Sequence, residues 1–139
     1  ARGLRRLLPR LAMDAGIDPK GLSRDPEVVR RYVEDPLVDG RATASLAVGM
    51  IDAGRQVLAS AARLRIPVLV LHGGDDPLCP PAGSERFFAA LAPEVLARSE
   101  IHIYPKLRHE ILNEPEHEQV LDDLLRWIHN REARRRDEA

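Results

Sequence analysis

A chain of 139 residues, 44% of them hydrophobic, has material for one domain with a sizeable core. A formal net charge of −1 gives no global field for nucleic acid, the basic run Arg134–Arg136 is diluted by Glu132, Asp137 and Glu138, and the single cysteine, Cys79, excludes an intrachain disulfide. No apolar stretch spans a bilayer, and the opening Ala1–Arg6 lacks both an initiator Met and a signal-peptide core. The expectation is therefore a stretch of a longer protein, in the cytoplasm or at a membrane surface.

Leu4, Leu7, Leu8 and Leu11 recur at helical spacing, with Arg5, Arg6 and Arg10 on other faces, and predict an amphipathic helix. Residues 17–24, with Asp18, Pro19, Gly21 and Ser23, read as a loop. Asp25-Pro26 is a helix start, a capping oxygen followed by Pro at the first helical position. Val28, Val29, Tyr32 and Val33 give that helix an apolar face, and Asp35-Pro36 stops it. Thr43 is placed to cap a longer helix running to about Leu64, with Leu46, Ala47, Met50, Ile51, Val57, Leu58 and Ala61 as its buried side.

Val68–Leu71 is a short β-branched apolar run between Pro67 and Gly73-Gly74, the pattern of a strand buried on both faces of a parallel sheet. A loop reaches Pro81. Gly83–Leu91 reads as a helix with Phe87, Phe88 and Leu91 inward and Pro93 near its end. Glu100–Tyr104 alternates as a strand and Pro105 ends it. Residues 106–113 form a loop, and Glu114-Pro115 opens a last helix with the stripe Val120, Leu121, Leu124, Leu125 and Ile128, and Trp127 alongside. The fold class is α/β. The strand–helix–strand spacing implies neighbouring parallel strands. Two strands alone make a poor sheet, so the remaining strands are expected from outside this stretch.

Chemistry is expected where strands end. The first strand runs into Asp75 and Asp76, and the loop after the second carries His109. A carboxylate can fix the tautomer of an imidazole that then serves as general base. The order acid then histidine, roughly thirty residues apart, fits hydrolases that run Ser…Asp…His. Gly73–Pro77 is also good turn chemistry, and His109 alone reads equally as a solvated loop histidine. His72, His102, His117 and His129 are weaker candidates, and no pair has metal-ligand spacing with an acidic partner, so no metal is expected. Cys79 reads as a small packing residue near the site. No G-x-S-x-G elbow, P-loop or dinucleotide fingerprint is present, so no nucleophile is assigned within the chain.

His72–Pro80, reading HGGDDPLCP, resembles the acid-bearing loop of α/β-hydrolases. Tyr104–Glu114, reading YPKLRHEILNE, resembles the histidine loop of the monoacylglycerol lipase and lysophospholipase branch. Leu22–Val29, Tyr32 and Asp35–Val38 are similar to the cap region of bacterial members. The resemblance, from about Gly21 to Ile128, implies the C-terminal part of an α/β-hydrolase fold, two parallel strands with flanking helices, preceded by helical cap elements. The cap would span residues 1–64 and the core part residues 65–139. It implies Asp76, not Asp75, as catalytic acid, His109 as base, and Met50, Ile51 and Leu78 along an acyl-binding channel. It further implies a serine ester hydrolase with no cofactor, a lipid ester substrate, the N-terminal half of the same protein as partner and peripheral membrane contact through the cap. The serine and most of the oxyanion hole would lie outside this chain, which alone is expected to be inactive. Two alternatives stand beside it: an epoxide hydrolase or dehalogenase with an Asp nucleophile, and a non-catalytic binding protein that kept the fold.

Overall fold

The computed structural model describes residues 10–137. The predicted helix over Leu4, Leu7 and Leu8 lies outside them. Leu11, at its far end, is exposed and not helical, because it leads into a strand the periodicity does not announce. That strand, β1 (Ala12–Asp14), pairs antiparallel with β2 (Arg41–Thr43), with Met13 opposite Ala42. Three-residue strands are too short to show alternation.

Between them, Asp18 caps a 3-10 turn at Pro19–Gly21, and α1 (Pro26–Glu34) starts as its sequence predicts. The Asp25 carboxylate accepts from the Glu27 N–H at 2.8 Å, and Asp35 turns extended before Pro36. Val28 is buried, but Val33 is exposed. The Thr43 hydroxyl caps α2 (Ala44–Ser60) by accepting from the Leu46 N–H at 3.1 Å. The buried face of α2 differs from the expected one. Ala44 and Val48 are covered, whereas Leu46, Met50, Ile51, Val57 and Leu58 are exposed. Periodicity identifies an apolar stripe, but it does not say which neighbour covers it.

β3 (Leu69–Gly73) and β4 (Glu100–Tyr104) form the expected parallel pair, in register from Leu69 opposite Glu100 to Gly73 opposite Tyr104. Leu69–His72 are half-buried in this two-stranded sheet, not enclosed on both faces. The connection holds α3 (Ala82–Ala89) and a short α4 (Pro93–Leu96), where Pro93 opens a helical turn of its own. Ala61, Leu91 and Val95 form one core cluster, with Phe87, Phe88 and Val68 packed on it. Tyr104, Leu107 and Val120 form the other, with Leu71 and Ile111.

The last helix, α5 (His117–Asp137), starts three residues later than the Glu114-Pro115 signal suggests. Glu114 is extended, and its side chain is engaged elsewhere. Val120 is fully buried, but Leu121, Leu125 and Ile128 of the predicted stripe are exposed. Among the described residues, no helix is long and apolar enough to cross a membrane.

Candidate active site

Two glycines set the end of β3 against the loop after β4. A Cβ on Gly73 would stand 2.1 Å from the Arg108 carbonyl oxygen and 2.4 Å from that of Leu107. A Cβ on Gly74 would stand 2.7 Å from Cα of Pro105. Only glycine permits both approaches. The Gly74 N–H donates to the Tyr104 carbonyl at 2.7 Å and the Asp75 N–H to the Leu107 carbonyl at 3.0 Å, so the loops after the two strands are stitched together.

Asp76 and His109 meet across this seam. His109 Nδ1 lies 2.8 Å from Oδ2 of Asp76. A carboxylate only accepts, so Nδ1 carries the proton and the lone pair of the neutral ring falls on Nε2. The other carboxylate oxygen, Oδ1, accepts the Leu78 N–H at 2.8 Å and the Cys79 N–H at 2.9 Å. Burial works against ionisation of Asp76. The Cys79 N–H, the His109 imidazole, the Leu78 N–H and the charge of His109 outweigh it and hold the carboxyl below its ordinary range. The Asp76 residue is buried, whereas the His109 ring is part-exposed, oriented from one side and open on the other. Asp75, the alternative acid, is exposed and joins the seam through its backbone.

Of the other predicted site residues, Leu78 contributes its N–H to Asp76 and packs its side chain toward Gly21. Met50 and Ile51 lie on the exposed face of α2, 66% and 52% accessible. Cys79 is exposed, not packed away, and its part in the site is played by its backbone. Partial desolvation of its sulfur and then the nearby Asp76 charge push its thiol up. His72, a weaker candidate in the sequence, stands beside the pair. Both its ring nitrogens are engaged, Nε2 at 2.8 Å from the Cys79 carbonyl and Nδ1 at 2.8 Å from the Ser84 hydroxyl, so it braces the loop that carries Asp76. The available signal was its position at a strand end, directly before two glycines.

An open recess of about 510 Å³ lies between α2 and α3, lined by Val57, Leu58, His72, Cys79, Ser84 and Phe87 among others. None of Met50, Ile51 and Leu78 lines it. Asp76, Cys79 and His109 also offer three metal-ligand atoms within 4.8 Å of one another, a grouping their sequence spacing does not announce. Both oxygens of Asp76 already accept hydrogen bonds there, one of them from His109. The arrangement is thus satisfied as an acid–imidazole pair.

A parallel strand pair with a carboxylate and an imidazole meeting at its carboxyl ends fits the α/β-hydrolase fold. Residues 1–116 match the family described as "Serine aminopeptidase, S33", and the chain belongs to that family. It is 40% identical over 131 residues to the monoacylglycerol lipase of Mycolicibacterium smegmatis, an alignment that covers 92% of this chain and 45% of that protein. Its fold is similar to the crystal structure of Paleococcus ferrophilus monoacylglycerol lipase, with a TM-score of 0.82 and 36% identity over 91% of this chain and 48% of that one. It is also similar to a soluble variant of monoglyceride lipase from Saccharomyces cerevisiae in complex with a substrate analog, with a TM-score of 0.78 and 25% identity over 89% of this chain and 43% of that one. The chain spans a little under half the length of each of these three relatives.

Proposed function

We propose that this chain supplies the acid and base of a serine ester hydrolase acting on monoacylglycerols or related lipid esters. The observation that carries the reading is the 2.8 Å contact of His109 Nδ1 with a buried, ionised Asp76, which leaves Nε2 as the ring's basic nitrogen. The names of the relatives support the substrate class. So does the apolar recess, which reaches Cys79, whose sulfur lies within 4.8 Å of both partners.

In this reading a serine from the half of the fold outside these residues attacks the ester carbonyl. His109 takes the hydroxyl proton on Nε2 and passes it to the departing glycerol oxygen. Asp76 holds the ring and stabilises the imidazolium without itself becoming protonated. Water then cleaves the acyl-enzyme by the same relay and releases the fatty acid. Residues 1–64 serve as the cap and residues 65–139 as the C-terminal part of the core. Met50, Ile51 and Leu78 extend the acyl path from the recess. The protein acts in the cytoplasm, with the exposed apolar face of α2 meeting the lipid surface where such esters reside.

The test is fatty-acid release from 1-oleoylglycerol by the whole protein, with an aminoacyl 4-nitroanilide and an epoxide as competing substrates. Turnover of the glyceride alone supports the proposal. Turnover of the anilide or the epoxide in its place, or of none of the three, overturns it.

A further inference from the structure

Glu114 is fully buried, at 1% exposure, and the acid–base reading gives it no task. A buried carboxylate is costly unless donors surround it. Its Oε1 accepts the Arg108 backbone N–H at 2.6 Å. Its Oε2 accepts the Arg24 backbone N–H at 3.0 Å and the Arg24 Nε–H at 3.2 Å, with the Ser23 hydroxyl 3.5 Å away.

These donors come from two segments far apart in the chain. Arg108 immediately precedes His109, whereas Ser23 and Arg24 lie between the Pro19–Gly21 turn and α1. The same segments are joined by backbone bonds on the other side of Arg108. The His109 N–H donates to the Gly21 carbonyl at 3.3 Å and the Glu110 N–H to the Leu22 carbonyl at 2.8 Å. The Arg108 guanidinium adds bonds to the carbonyls of Lys20 at 2.6 Å and Ser23 at 3.3 Å. Three consecutive N–H groups, of residues 108, 109 and 110, are therefore held from outside their own loop.

We infer that Glu114 is a positioning residue for His109. It fixes the backbone that carries the imidazole and fastens it to the segment leading into α1, so that Nδ1 stays within hydrogen-bond reach of Asp76. It works through the Arg108 peptide and touches no reacting atom. The inference rests on the reading of His109 as the general base. The pair's geometry depends on where this loop stands, and a misplacement of about 1 Å from a change away from the chemistry can lower a rate about 100-fold. The side chain's charge matters as well as its shape, because its short hydrogen bonds, from the Arg24 N–H, the Arg24 Nε–H and the Arg108 N–H, all come from donors.

The experiment compares Glu114→Gln, Glu114→Asp and Val95→Ala in the whole protein, reading melting temperature, kcat and KM for a short-chain ester, and the NMR signal of the His109 Nδ1–H. Glu114→Gln keeps the shape but points an amide donor at groups that donate. It is expected to lower kcat about 10- to 100-fold, with KM within about twofold, and to broaden or abolish the Nδ1–H signal. Glu114→Asp, which keeps the charge, recovers part of both. Val95→Ala weakens the other core cluster and should lower the melting temperature while leaving the ring signal in place. Where Glu114→Gln does not fold, Arg24→Gln removes one donor to Glu114 and should shift the same signal by less. A wild-type ring signal and kcat in the folded Glu114→Gln protein, or in Arg24→Gln where that serves in its place, would overturn the inference. So would an equal loss in Val95→Ala. The ring signal is read without turnover, so a wild-type protein lacking esterase activity defeats the functional reading and still leaves the role of Glu114 decided.

Discussion

Asp76 Oδ2 and His109 Nδ1 lie 2.8 Å apart although 33 residues separate them, because Gly73 and Gly74 let the loop after one strand touch the loop after its neighbour.

Asp76→Asn in the whole protein should lower kcat by about 10⁴-fold with little loss of fold, because an amide facing Nδ1 favours the wrong tautomer. Asp75→Asn, at an exposed residue joined through its backbone, should leave kcat within about twofold. Steady-state kinetics of the two variants decide between the neighbours, and the reverse ranking would move the acid to Asp75.

Gly73→Ala should destabilise the protein by about 3 kcal/mol or more, since the new methyl meets two backbone carbonyl oxygens that cannot rotate away. Urea denaturation measures it. An alanine variant as stable as wild type would mean that the seam is looser than described.

Asp76 also predicts a pH dependence of stability. Its folded carboxyl lies below the ordinary value of 3.8. The stability its ionisation contributes is therefore fully present above about pH 5 and is lost as pH falls past the ordinary carboxyl value and through the lowered folded one. The stability difference between wild type and Asp76→Asn should shrink from pH 5 downward, by roughly the same linkage, in denaturant titrations at stepped pH. A difference independent of pH would contradict the charge assignment.

Met50→Asp should slow hydrolysis of long-chain monoacylglycerols more than short-chain ones, because a carboxylate on the acyl path opposes the passage of a longer apolar chain. Equal slowing of both chain lengths would remove Met50 from the acyl path.

β3 and β4, the caps at Asp25 and Thr43, and the pairing of strand ends are legible because each rests on local signals: β-branched runs, capping oxygens and glycines before carboxylates. Burial was less legible. The α2 stripe of Leu46, Met50 and Ile51 is as apolar as expected, yet exposed, since a pattern cannot name the neighbour that covers it. β1 and β2 were too short to alternate. Glu114 reads as a helix opener because Pro115 after it suits a first helical position. Its actual partners, Arg24 and Arg108, are brought to it by tertiary folding from 90 residues upstream and from the adjoining loop. His72 looked like a strand end, and its two bonds to the Asp76-bearing loop and to α3 depend on how the chain turns after Gly74.

The most direct measurement is the rate of fatty-acid release from 1-oleoylglycerol by the whole protein carrying His109→Ala, beside wild type and beside this chain alone. The account predicts turnover by wild type, a loss of at least about 10³-fold in a folded His109→Ala variant, and none by the isolated chain. Wild-type turnover in the variant, or turnover by these 139 residues alone, would contradict it.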